Sequence, residues 1–153
     1  MTADPDDLYY LIAHQVWARL DDGGAATVGI TRLGIALAGE IYMCRVKRAG
    51  TVINQGETLA VVELSKAIVA VKSPVSGRIT ALNPALEAQP EQVHRDPYGA
   101  GWLARLELSD WARDLPQLAH GADVAPAMAD HARLHRLELV PATGGAWLNP
   151  DGG

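Results

Sequence analysis

The chain contains no phenylalanine, a single cysteine and only three lysines. Each scarcity excludes something. Without Phe, a core in this 153-residue chain must be built mostly from Val, Leu, Ile and Ala, with a few Trp and Tyr. With Cys44 alone, no internal disulfide forms and the polypeptide brings no dithiol of its own, which fits a reducing cytoplasm. Net charge is −5 and no basic stripe is present, so nucleic-acid binding through phosphate neutralisation is not expected. No apolar run approaches the roughly 20 residues that span a bilayer, and no membrane partner is expected. The acidic start MTADPDDLYY lacks the basic and apolar regions of a signal peptide.

What is abundant is punctuation, with 15 Gly and 9 Pro breaking up short apolar runs. From about residue 7 to 108 that pattern predicts a mainly β domain. Strands are expected at Val16–Leu20, Thr27–Ile30, Ala38–Val46, Thr58–Glu63, Ala67–Lys72, Gly77–Leu82 and Trp102–Leu108. LDDGGAAT (20–27) reads as a hairpin turn, because Asp and Gly supply the backbone angles that tight turns need. A short helix is expected after Thr31, and another in NPALEAQPEQV (83–93), with Asn83 as N-cap, Pro84 at the first helical position and Pro90 limiting its run. Beyond Leu108 the alternation stops, and 109–121 and 123–140 read as helical, each with an Asp or Ser available as a cap. The boundary is drawn as a domain over 7–120 and a C-terminal helical extension with a tail over 121–153. The tail is rich in Gly and Pro and carries Trp147 and Leu148, which either dock on the body or meet a partner.

One stretch carries chemistry. VVELSKAIVAV (61–71) sets a lone lysine, Lys66, between two arms of small and β-branched residues, in a chain that elsewhere uses arginine, ten of them, as its surface cation. A turn through Leu64, Ser65 and Lys66 would hold the ammonium away from the sheet. A solvated lysine is the ordinary reading of such a position. Three further matches outweigh it.

LIAHQVWARL (11–20) has a His-x-x-Trp strand start formed by His14 and Trp17, and TVGIT (27–31) follows. VVELSKA (61–67) places Glu63 three residues before Lys66, and SPVSG (73–77) comes next. DPYGAGWL (96–103) then precedes SD (109–110). In this order the motifs resemble the H protein of the glycine cleavage system, in the lipoyl-domain superfamily, over roughly residues 8–120. The resemblance implies a lipoyl-type barrel-sandwich hybrid with short helices and a helical C-terminal extension. It implies lipoate as an amide on Lys66, Glu63 as a recognition carboxylate beside it and Gly50 as a turn glycine. It also implies a carrier that is not itself an enzyme. The partners implied are a lipoate ligase or lipoyl transferase, the glycine cleavage enzymes and dihydrolipoyl dehydrogenase.

The chain departs from that family at Ser65, where Val is usual, at Ala70, where an acid is usual, and at both termini. On those departures it resembles the H-like lipoate-binding proteins that accompany heterodisulfide-reductase-like sulfur-oxidising complexes. The reading preferred from the sequence is therefore a sulfur-carrying lipoyl shuttle working with such a complex. The aminomethyl carrier of glycine cleavage is the alternative, and an unmodified interaction protein is the alternative of another class.

Chemistry supports acylation of Lys66 independently. Acylation removes the ammonium charge and extends a flexible stem, whereas arginine stays protonated and is not acylated in this way. Lys72, beside Ser73-Pro74, is the rival lysine; biotin would want methionines where Ser65 and Ala67 stand. His14 is a candidate for lining the arm's path. His131 and His135, four apart, share a helical face without a clear third ligand, so no metal is expected. Cys44 reads as a small buried hydrophobe. Ser65 next to Lys66 is not a nucleophile–base pair, and no catalytic set is visible.

Overall fold

The structure, a computed structural model, describes residues 4–139. Two antiparallel sheets enclose the main core. The larger is built from β1 (Tyr9–Leu11), β2 (Val16–Leu20), β3 (Ala25–Ile30), β5 (Val52–Ile53), β8 (Gly77–Leu82), β9 (Ala104–Leu108) and β10 (Ala119–His120). Its order is β10-β1-β2-β3-β9-β8-β5. The smaller sheet joins β4 (Met43–Val46), β6 (Thr58–Glu63) and β7 (Ile68–Lys72) in the order β4-β6-β7. Period-2 alternation turns Cys44, Ala60, Val62 and Val71 inward to meet Val28, Ile53, Val75, Ile79 and Leu106 from the other side. The mainly β architecture is as expected.

Local chemistry explains most element ends. Gly23 (φ 74°) and Gly24 (φ 76°) form the β2–β3 turn, which the Asp21 N–H closes onto the Ala25 carbonyl at 2.8 Å. α1 (Arg32–Ala38) starts where the Thr31 hydroxyl accepts the Gly34 N–H at 2.9 Å. It stops at Gly39, whose φ of 84° ends the helix, so the strand expected over Ala38–Val46 shortens to β4. The turns α2 (Ala85–Ala88) and α3 (Gln92–Arg95) flank Pro90. Asn83 accepts the Ala85 N–H at 3.1 Å as a cap would, while Pro84 sits at the boundary position, one place before that expected.

The C-terminal part corrects the all-helical expectation for 109–121. α4 (Trp111–Asp114) is a single turn, and the chain then returns to the sheet as β10, pairing with β1. Tyr9 stacks on His120 at 4.0 Å and meets Trp111 edge-on, and these rings hold the two-residue strand. Asp110 stands before α4 but makes no capping bond; it pairs with Arg113 at 3.3 Å. α5 (Val124–Leu139) is helical as expected, and its Val124 and Met128 bury against Leu8, Tyr10 and Trp17 in a second core cluster. Trp147 and Leu148 lie outside the described residues.

Trp17 anchors the joint between the two clusters. It is fully buried, and its indole N–H is shared between the Ile30 and Pro97 carbonyls, each at 3.1 Å. Gly29, opposite it in register, has no side chain because the indole occupies that space.

Candidate functional site

Strands β6 and β7 form one hairpin, registered Glu63↔Ile68, Val62↔Val69 and Val61↔Ala70. The Leu64 N–H closes the end by donating to the Ala67 carbonyl at 2.8 Å, so Ser65 and Lys66 are the two central turn residues. Neither has a positive φ, which explains why no glycine is needed there. Both are exposed, and among the described residues no hydrogen bond or ion pair engages the Lys66 ammonium. A rigid ladder thus ends in an amine free to be acylated, as a carried group requires. Lys72 differs: it is half-buried at the far end of β7, with its ammonium 3.4 Å from the Thr58 hydroxyl.

Beside the hairpin lies a groove of about 390 Å³. Val62, Leu64, Val69 and Val71 form its hairpin wall, and Leu37 with Ile41 forms part of the opposite side. His14, the candidate for lining the arm's path, lines this groove from the turn before β2. His131 and His135 line it from α5, their rings stacked at 3.9 Å. The His135 Nδ1 lies 3.1 Å from the His131 carbonyl, and a carbonyl only accepts, so Nδ1 carries the proton. Among the described residues, no cluster of three metal-ligating side chains forms around this pair.

Gln15, which the sequence did not single out, shapes the groove floor. It is the one described non-glycine residue with positive φ, 54°, and it is buried. Its carboxamide accepts from the Thr31 hydroxyl and donates to the Ile12 carbonyl at 2.9 Å, and its own carbonyl accepts the Thr31 N–H at 3.0 Å. Those bonds hold the left-handed turn that aims the His14 segment at the groove.

The other expected site residues separate. Glu63 is half-buried on the hairpin face opposite Val62, in one cross-strand row with Met43 and Ile68. Gly50 (φ 93°) lies on the β4–β5 connection, where its N–H meets the Ile79 carbonyl at 2.7 Å, so backbone geometry accounts for it. Cys44 is buried, and desolvation pushes its thiol from 9.0 up to about 11.

A second missed residue holds the hairpin's base. Asp114 on α4 is 1% exposed and accepts the Ser76 N–H at 2.6 Å and the Ser76 hydroxyl at 3.1 Å. Gln55 donates to the Asp114 carbonyl and the Pro74 carbonyl, both at 3.0 Å, tying the SPVSG segment to α4.

Two facing sheets with a protruding hairpin and a lone lysine at its tip define a protein of the lipoyl-domain class. The family model described as Glycine cleavage H-protein matches residues 8–131. The chain is 35% identical over 127 residues to "Glycine cleavage system H protein 2" of Aquifex aeolicus, covering 83% of this chain and 79% of that one. It is 43% identical over 110 residues to the glycine cleavage system H protein of Aeromonas salmonicida, covering 72% and 84%. Among solved structures, a glycine cleavage system H protein from Mycobacterium marinum superposes with a TM-score of 0.69 at 26% identity, covering 87% of this chain and 99% of that one. The chain belongs to the glycine cleavage H-protein family. Proteins of this family are lipoyl carriers with lipoate attached covalently to a lysine. No helix among the described residues is long and apolar enough to cross a membrane.

Proposed function

We propose that Lys66 is the lipoylation site and that the chain is a non-catalytic carrier, moving a lipoyl-bound group between enzymes in the cytoplasm. The observation that carries this is the unengaged Lys66 ammonium at the tip of a closed antiparallel turn. When bound, lipoate supplies a dithiolane whose sulfur–sulfur bond opens to nucleophiles. The chain's own residues do the rest. The β6–β7 ladder fixes the attachment point, Glu63 marks the hairpin for the attaching ligase or transferase, and the groove offers the tethered arm an apolar resting place.

For the cargo, the names of the relatives support the aminomethyl group of glycine cleavage, passed among the glycine cleavage enzymes with reoxidation by dihydrolipoyl dehydrogenase. They do not support the sulfur-carrying role, with its heterodisulfide-reductase-like partner, that Ser65 and Ala70 suggested. One observation keeps that second reading in play: no Asp or Glu is among the described residues lining the groove.

Intact mass of the protein purified from its native cell tests the carrier reading. A lipoyl increment that disappears in Lys66→Arg is expected. No increment, or one that survives Lys66→Arg, refutes it.

A further inference from the structure

One side chain outside the hairpin holds the segment that braces it. α1 ends at Gly39, and the chain reaches β4 through Glu40, Ile41 and Tyr42. Ile41 is 4% exposed, and its N–H donates to the Nε2 of His94, on α3, at 3.0 Å. The next residue, Tyr42, donates its N–H to the Glu63 carbonyl at 2.8 Å, where β6 ends three residues before Lys66. One imidazole and one carbonyl thus fix two consecutive amides between α3 and the hairpin.

A backbone N–H only donates, so His94 Nε2 carries no proton and the ring is the neutral tautomer with its hydrogen on Nδ1. An imidazolium donates from both nitrogens and cannot make this bond. Protonation would therefore leave a buried amide without an acceptor, which is costlier than losing an exposed one. Histidine is the side chain in which such a change falls within the physiological pH range.

The charges around the ring give an imidazolium somewhere to turn. His94 shares an open depression over α1 and α3 with Glu40, Glu91 and Arg95. The two carboxylates attract a protonated ring and Arg95 opposes it. Glu40 also accepts from the Tyr42 hydroxyl at 3.2 Å, on the same connection as Ile41. The other charged neighbours are engaged elsewhere. Asp96 accepts the Ala100 N–H at 2.9 Å, and Glu87 of α2 lines a separate groove beside β4. Arg32, at the far end of α1, lies over the Tyr98 ring.

We infer that His94 is a pH-operated latch. Neutral, it holds Ile41 and, through it, the Tyr42–Glu63 brace of the Lys66 hairpin; protonated, it turns towards Glu40 and Glu91 and releases both. The contact exists while the imidazole is neutral and is lost as pH falls through its protonation. His94 is a positioning residue, and the latch holds whether or not Lys66 is acylated.

The test follows the full chain, labelled with nitrogen-15, by NMR from about pH 8 to about pH 5, the range in which histidine ordinarily changes charge. At the upper end the His94 ring should carry its proton on Nδ1. As the His94 ring signals report protonation, the Ile41 protection factor, already corrected for the intrinsic pH dependence of exchange, should fall about fivefold, the equivalent of one ordinary hydrogen bond. Tyr42 should follow. His94→Gln offers an amide oxygen that does not titrate, so protection should persist across the range and set His94 apart from the remaining histidines. His94→Ala should show the low value throughout. An Nε2–H tautomer at the upper end, a ring still neutral at the lower end, an Ile41 amide that stays protected once His94 is charged, or a pH dependence that survives in His94→Gln overturns the inference. Tyr42 protection that is unchanged while Ile41 opens overturns the link to the hairpin. None of these outcomes alters lipoylation of Lys66, which intact mass reads separately.

Discussion

Replacing Asp114 by alanine should be among the most damaging single changes in the chain, although no sequence motif marks it. Its carboxylate accepts two hydrogen bonds from Ser76, at 2.6 and 3.1 Å, in a site that is 1% exposed. Arg113, whose side chain is largely exposed, approaches only to 3.9 Å and is a weak counter-charge. Truncation removes two bonds to a charged acceptor, each contributing about 1.5–3 kcal/mol, and strands the buried Ser76 N–H. Relief of the carboxylate's own desolvation offsets part of this, leaving a net loss of about 3 kcal/mol. For a domain of this size that lowers Tm by about 10 °C. Asp114→Asn should cost less, about 1.5 kcal/mol, because the amide oxygen still accepts the Ser76 N–H, while the Ser76 hydroxyl, which already accepts from Gln55 and Arg113, loses the partner for its own proton. Urea unfolding followed by tryptophan fluorescence, with the slope unchanged, measures both. If Asp114→Ala stays within about 0.5 kcal/mol of wild type, or Asp114→Asn is equally damaging, the hydrogen-bond account is wrong.

The remaining expectations are simpler. Gly29→Ala puts a Cβ 2.6 Å from the Trp17 ring, so the indole must move and surrender both carbonyl bonds; a loss of about 3 kcal/mol and red-shifted fluorescence are expected. Gly23→Ala meets open space and pays only for its left-handed backbone, about 1 kcal/mol by the same unfolding assay. Native Cys44 should resist iodoacetamide at pH 8 and react once unfolded, read by mass. Because its thiol is raised from 9.0 to about 11, the unfolded chain ionises first. Wild type should therefore lose stability relative to Cys44→Ala as pH rises from 9 towards 11, and parallel pH profiles would refute this.

Local signals were legible and convergent ones were not. The bounds of β6 and β8 are those expected, because alternating apolar residues bracketed by glycine and polar turns fix strands without tertiary help. Thr31 announced α1, but nothing local said that Gly39 would close it with positive φ. β10 is two residues long and exists because Tyr9 and Trp111 supply ring contacts, so no periodicity could reveal it. Lys66, Ser65 and Glu63 sit together in sequence, so the hairpin that carries them was legible there. His14 shares a groove with His131 and His135 because Val124 and Met128 dock α5 against Leu8, Tyr10 and Trp17. Nothing local marks Asp114, because its partner Ser76 lies 38 residues upstream.

The hairpin register also sets two distinct faces on either side of Lys66. Alternation sorts the side chains of β6 and β7 into two sets. Val62 and Val69 pair on the groove side, next to the inward Val71, while Met43, Glu63 and Ile68 form a row on the other face. On that outer row Met43 and Ile68 are exposed apolar residues flanking a carboxylate, a surface that a visiting protein could cover without entering the groove. Lys66 stands at the turn where the two faces meet. A shift of one residue in the β6–β7 register would exchange the faces, putting Glu63 into the groove and Val62 into solvent. The Leu64–Ala67 closure, with Ser65 and Lys66 between, prevents that slip. Inserting a single residue between Ser65 and Lys66 should therefore impair attachment at Lys66 more than Ser65→Val, which leaves the register intact; equal lipoylation of the two variants by intact mass would mean that the faces do not matter.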